Sequence, residues 1–342
     1  MKRIYLLFVI FFSCGKLLVT PESNNKPENN FEIFWREFDK YYSFFEYKGV
    51  NWDSLYNVYR PIVDNRISEK ELFHILAAML SVLKDGHILL LTPYGEYNYE
   101  GWWKDYPANY YYIIVEQYYL KNVVRLSNGK IISGDLNEEL GYIHISNFKG
   151  DNDWNNSIDK VLDRLKNKKG LIIDIRNNGG GNTGKSEYLA SRFADKKRLY
   201  SYIQWRNGPN HNDFTEPIPL YIEPSEKWRF IKPVAVLTNR QSFSAAESFV
   251  LAMRVFPNVT IIGSTTGGGS GSPILRELPN GWVYQIPVSV QLTPEKKFYE
   301  EKGLEPDIYV NTTYRDYIMR RDRIIDRAIV ELKGKLKKEK SK

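Results

Sequence analysis

The chain has 342 residues, 42% hydrophobic and 26% charged, with a single cysteine; this excludes a disordered chain, a multispan membrane protein, a disulfide scaffold and a multi-cysteine metal site. The net charge of +7 sits at the ends, because Lys333–Lys342 holds six lysines against one glutamate and Lys2 and Arg3 add two more charges, leaving residues 4–332 neutral. A neutral body lacks the basic stripe of a nucleic-acid binder, and the lysine tail reads as a solvated end.

Met1-Lys2-Arg3 precedes the apolar run Ile4 to Phe12, too short to span a bilayer and suited to a secretory signal. Ser13-Cys14-Gly15 follows and resembles the lipobox of bacterial lipoproteins, which implies a lipid on Cys14 and membrane association through it. An ordinary signal peptide with an incidental cysteine is the alternative. The polar stretch Thr20 to Asn30 reads as a flexible tether. The expected divisions begin with a signal over 1–13 and a tether over 14–30.

Aromatic residues from Phe31 to Tyr42 recur at helical spacing. Asn51-Trp52-Asp53 opens a second helix, and Ser68 with Glu71 forms a capping box before the run Leu72 to Leu83. Residues 31–92 therefore read as a helical subdomain. Tyr110 to Tyr119, Val123 to Leu126 and Lys130 to Ile132 read as β-rich runs, which makes 93–140 a small β element, too short for a PDZ domain with its linkers. From Gly141 strands and helices alternate: strands at 141–145, 170–175, 234–238 and 259–263, and helices at 154–165, 186–193 and 245–256. The alternation predicts an α/β core over 141–332, closed by one amphipathic helix from Arg315 to Leu332 and followed by the tail 333–342.

Four short segments bear chemistry. The buried strand from Gly170 runs into the turn Asn177-Asn178-Gly179-Gly180-Gly181, where glycines bring backbone N–H groups close to a ligand; a plain tight turn is the alternative. Gly179 to Ser186 also matches a phosphate loop literally, but no second buried strand ends in a magnesium-holding aspartate. Ser244 stands between a strand and a helix, where the helix dipole favours negative charge. It also forms a capping box with Glu247, which alone would explain both residues. It lacks the Gly-x-Ser-x-Gly elbow of the α/β-hydrolases. Asp85-Gly86-His87 ends the helical subdomain, and a histidine after a glycine there can point into a cleft. His74, His144 and His211 read as structural. Tyr299 to Asp307 is a charged turn.

Together and in this order, Asp85-Gly86-His87, Asp174 to Gly180, Ser244-Ala245-Ala246-Glu247 and Glu300 to Asp307 resemble the tail-specific, or C-terminal processing, serine peptidases, including the tricorn core. Lys48 to Asp53 and Tyr59-Arg60-Pro61 resemble that family's helical N-terminal part. The resemblance covers about residues 31–332 and implies a crotonase/ClpP-like spiral core. The processing proteases use a serine–lysine dyad, with the lysine about 25 residues after the serine. Here that loop reads Gly267-Gly268-Gly269-Ser270-Gly271, and no lysine occurs between Lys232 and Lys296. The tricorn-like branch uses a histidine before the core and a glutamate after it, positions matched by His87 and Glu300. Its relay serine precedes the histidine; Gly86 stands there, which leaves open how Glu300 couples to His87.

The resemblance implies a cell-envelope serine endopeptidase acting on a polypeptide substrate. Ser244 is the expected nucleophile, His87 its base and Glu300 the orienting carboxylate, direct or through water. The backbone N–H groups of Ala245 and of Gly179 or Gly180 would hold the oxyanion. Asp174 and Arg176 would shape the glycine turn. No cofactor and no metal is expected. The competing class is a catalytically inert, peptidase-like binding or carrier protein of the cell envelope.

Overall fold

The computed structural model describes residues 25–150 and 153–340. The signal, Cys14 and most of the tether lie outside the described residues.

The core is a seven-stranded sheet. Its strands run, from one edge to the other, Ile308–Tyr309, Val259–Gly263, Val234–Thr238, Gly170–Asp174, Leu140–Ile145, Ile131–Asp135 and Lys121–Leu126. The first five are mutually parallel and the last two antiparallel. A parallel sheet needs cover on both faces. The helices Trp154–Leu165, Thr183–Ser191 and Ala245–Arg254 share one buried cluster with it, and Ile324, Ile325, Ala328 and Leu332 of the helix Arg323–Lys340 share another. Residues 140–145, 170–174 and 234–238 are accordingly buried throughout.

The N-terminal helices Pro27–Tyr41, Trp52–Tyr59 and Glu69–Ser81 pack on a second sheet, ordered Pro273–Glu277, Val283–Pro287, Leu89–Thr92 and Gly95–Asn98. Phe34, Phe38, Trp52 and Leu76 meet Trp282, Tyr284 and Ile286 in one buried cluster. A third sheet joins Ser289–Leu292, Arg198–Trp205 and Ile218–Ile222. The α/β core with N-terminal helices is the expected class.

Three local expectations are corrected. Residues 110–119 are not strand: Tyr112–Ile114 is helical and Val115–Tyr119 forms a π-turn. The winding lets Tyr110 reach His144 Nδ1 at 3.2 Å and Tyr119 reach Asp326 at 3.0 Å, so tertiary anchoring overrides β propensity. The strands at 121–126 and 131–135 extend the core sheet rather than forming a separate element. The final helix is two, Tyr314–Ile318 and Arg323–Lys340. The break puts Asp322 where it caps Ile324 and Ile325, each at 3.1 Å, and pairs with buried Arg176 at 2.8 Å. The tail read as a solvated end stays helical to Lys340, with Leu336 packed beneath it.

Candidate active site

Ser244 lies between the strand Val234–Thr238 and the helix Ala245–Arg254, with φ +58° and ψ −123°. Such a backbone costs a non-glycine residue of order 1–3 kcal/mol and persists only where its surroundings over-determine it. Here the preceding turn is clamped to the end of the neighbouring strand. Phe243 N–H donates to Asn178 O at 3.0 Å, Ser242 Oγ to Ile175 O at 2.8 Å, and Asn177 N–H to Asn239 Oδ1 at 2.9 Å. A Cβ at Gly180 would lie 2.7 Å from Ser244 Cβ and 2.9 Å from Ala245 N, an approach only glycine permits.

Ser244 and Glu247 keep the form of a capping box. Ser244 N–H donates to Glu247 Oε2 at 3.0 Å, and Glu247 N–H donates to the Ser244 carbonyl at 2.7 Å. The Ser244 hydroxyl itself makes no cap hydrogen bond. Buried Glu247 also accepts from Gly268 N–H and Gly269 N–H, each at 2.7 Å, and from Thr266 Oγ1 at 2.6 Å. Burial pushes its carboxyl up and these donors oppose the shift. A cap by sequence, Glu247 in the fold ties the serine's helix to the glycine loop 267–271.

His87 is buried against Phe243, with ring centroids 4.5 Å apart, and Phe243 stacks on Trp102 at 4.1 Å. Both imidazole nitrogens lack a hydrogen-bond partner, so the Ser244 hydroxyl is not bonded to the ring in this conformation. Burial lowers the imidazole pKa and the charge of Asp85 partly restores it. The neutral ring is the form able to accept a proton.

Ser244, His87 and Gly179 line one cavity of about 420 Å³, and Glu300 lines a neighbouring one of about 510 Å³; Gly86, Trp102 and Phe243 border both. Ala245 is the first residue of its helix, so its N–H lies outside the intrahelical ladder. Gly180 N–H donates to Asn178 Oδ1 at 2.9 Å, whereas Gly179 borders the cavity that Ser244 lines. The phosphate-loop alternative loses its cradle. Gly180 packs on Ser244, and a Cβ at Gly181 would lie 2.6 Å from the Phe148 carbonyl carbon.

Glu300 does not touch His87. Its buried Oε2 accepts from Ser270 N–H at 2.7 Å and Ser270 Oγ at 2.8 Å. Burial first, and then the charge of Asp85, raise its carboxyl to about 8, against the pull of Lys48 and Ser270. Gly269 stands 25 residues after Ser244. A Cβ there would fall 2.3 Å from the Phe243 ring and 2.8 Å from His87 Cε1, so Phe243 and the imidazole fill the space a lysine side chain would enter. A Cβ at Gly86 would fall 2.5 Å from Trp102 Nε1, so Trp102 occupies the place of a relay serine.

The other histidines lie elsewhere. His144 Nδ1 is 3.1 Å from Asp174 O, His211 pairs with Asp39 at 2.8 Å, and His74 packs beside Phe73. Asp174 and Arg176 form a buried ion pair at 2.6 Å that extends to Asp322. Among the described residues no cluster of three side chains could hold a metal ion, and no helix is long and apolar enough to cross a membrane.

Residues 139–310 match the pattern of peptidase family S41, and residues 23–81 match the tricorn protease C1 domain. The chain is 28% identical over 172 residues to the carboxy-terminal processing protease CtpA of Bacillus subtilis (strain 168), a match covering 49% of this chain and 34% of that protein. It thus spans about a third of that relative's length. A crystal structure of a protein from Parabacteroides merdae ATCC 43184, described as a candidate peptidase, superposes with a TM-score of 0.81 and 40% identity, over 90% of this chain and 97% of that one. The tricorn protease shares the fold, with a TM-score of 0.58 and 15% identity over 91% of this chain and 37% of that one.

Proposed function

The chain belongs to peptidase family S41, and from that premise we propose that it is a serine endopeptidase of the cell envelope, tethered through a lipid on Cys14. Ser244 attacks a peptide carbonyl while His87 takes its proton and later returns it to the leaving amine. The N–H groups of Ala245 and Gly179 hold the oxyanion, and each such donor contributes about 3–4 kcal/mol to transition-state stabilisation. Glu300 acts on His87 through the loop: it fixes Ser270, whose neighbour Gly269 packs on the imidazole. The Ser244–His87 hydrogen bond forms on substrate entry, as catalytic hydrogen bonds often tighten only in the complex.

One observation supports this most: the strained Ser244 opens a helix in the cavity that His87 also lines. The carrier reading has one in its favour, the unpartnered imidazole packed on Phe243. A fluorophosphonate probe separates the two. The wild type should be labelled and Ser244→Ala should not; a folded, unlabelled wild type would favour the carrier. For the tether, a palmitate analogue fed to cells should mark the wild type, and equal labelling of Cys14→Ser would remove that part of the proposal.

A further inference from the structure

Taking His87 as the base, we propose that Asp85 is a second positioning residue, and that its negative charge, rather than that of the loop-holding Glu300, stabilises the His87 imidazolium.

Asp85 lies two residues before His87, joined to it through Gly86, and accepts a hydrogen bond from its backbone. Its Oδ1 accepts the His87 backbone N–H at 2.8 Å, and its Oδ2 accepts the Tyr42 hydroxyl at 2.9 Å. Asp85 and Tyr42 are 1% and 0% exposed, so the carboxylate is held at both oxygens where water screens little of its field. His87 is fixed from the carbonyl side too, by Gln285 Nε2 at 2.9 Å. The distance between the charge and the ring is thereby set by a short, rigid segment of chain.

Glu300 is placed differently. Both its hydrogen bonds run to Ser270 through Oε2, leaving Oε1 to carry a proton. Two carboxylates sharing a buried site do not both ionise readily. Glu300 is the one pushed up, to about 8, in part by Asp85, and is mostly protonated at neutral pH. The charge that opposes burial at His87 is that of Asp85. The remaining groups around Asp85 come from three elements. Tyr42 follows the first helix, and the Tyr97 phenol on the strand Gly95–Asn98 is pushed up to about 12 by burial and then by Asp85. Lys48 is nearly buried and pairs with Glu301; burial lowers its pKa, and the charge of Asp85 and the Glu301 carboxylate outweigh that and raise it. Two phenols and one ammonium thus surround a single carboxylate charge beside the histidine.

The experiment is an NMR titration of the His87 imidazole in the full chain, with the pH profile of kcat/KM alongside. Asp85→Asn keeps the side chain's size and polarity and removes its charge. The imidazole should then titrate lower by about one pH unit, as expected on losing a nearby opposite charge. kcat/KM at pH 7 should fall by about tenfold, the equivalent of one pH unit of lost imidazolium stabilisation. Glu300→Gln should leave the imidazole titration in place. A folded Asp85→Asn protein with unchanged His87 titration, or a larger shift in Glu300→Gln, would overturn the proposal. Should Asp85→Asn fail to fold, Tyr42→Phe reads the same link. Loss of the Oδ2 partner concentrates the charge and should raise the imidazole titration; no rise would overturn it. The titration does not depend on activity, so an active His87→Ala enzyme would defeat the assignment of the base without touching this measurement.

Discussion

The two sides of the cleft are built by different means. The Ser244 side is one continuous stretch of core: strand, clamped turn and helix, with its neighbours drawn from the adjacent parallel strand. The His87 side is assembled from distant pieces. Asp85 and His87 meet Tyr42 from the end of the first helix, Trp102 from the segment after the hairpin, Gln285 from the second sheet, and the loop 267–271. Ser244 is held by backbone geometry and His87 by side-chain packing. Replacements beside Ser244 should therefore act on chemistry, and replacements around His87 on both chemistry and stability.

The strongest way to break this contrast is Ser244→Gly. Glycine tolerates the positive φ and costs a helix cap only a few tenths of a kcal/mol. Peptide hydrolysis should fall by at least about 10⁴-fold with an almost unchanged unfolding midpoint. Near-native activity would show that Ser244 is a cap and nothing more. His87→Ala should follow, with kcat/KM reduced by about 10²–10⁴. The wild-type acid limb should lie below the ordinary imidazole value of 6.5, because burial lowers His87. A limb above that value would point to another base.

Gly86→Ser tests the packed side directly. Its Cβ would meet Trp102 Nε1 at 2.5 Å, and overpacking of this kind costs about 1–3 kcal/mol. Chemical denaturation should show the loss, and adding Trp102→Ala should recover part of it. Additive losses in the double variant would mean the two side chains do not compete for one space. The smallest effect concerns pH. Glu300 is raised from 4.5 to about 8 in the fold, so its contribution to stability is complete below 4.5 and lost as pH rises through 8. The wild-type Tm should therefore drop between about pH 5 and pH 8 more than that of Glu300→Gln, whose amide keeps the neutral state. Parallel curves would show that Glu300 ionises without cost.

Much of the core was legible because its signals are local. Buried runs such as Val234–Thr238 and Gly170–Asp174 belong to a sheet covered on both faces, and the capping box at Ser68 stands as read, with Glu71 N–H donating to Ser68 Oγ at 3.2 Å. The strands at 198–205, 218–222, 273–277, 283–287 and 289–292 escaped notice, because their burial is set by partners far along the chain. Tyr110 to Tyr119 misled for the converse reason: aromatic residues that favour strands were wound into a turn by buried partners at His144 and Asp326.

At the site, local sequence determined where Ser244 and the glycine turn fall, since strand, turn and helix are short-range patterns. It also removed the loop lysine. Only tertiary structure decided why that lysine is gone, because Phe243 and His87 fill its space, and why residue 86 is glycine, because Trp102 fills the space beside it. The charge balance among Asp85, Glu300 and Lys48 was decided there as well. Their interaction depends on shared burial and on approach across more than two hundred residues of chain, and neither spacing nor composition carries that information.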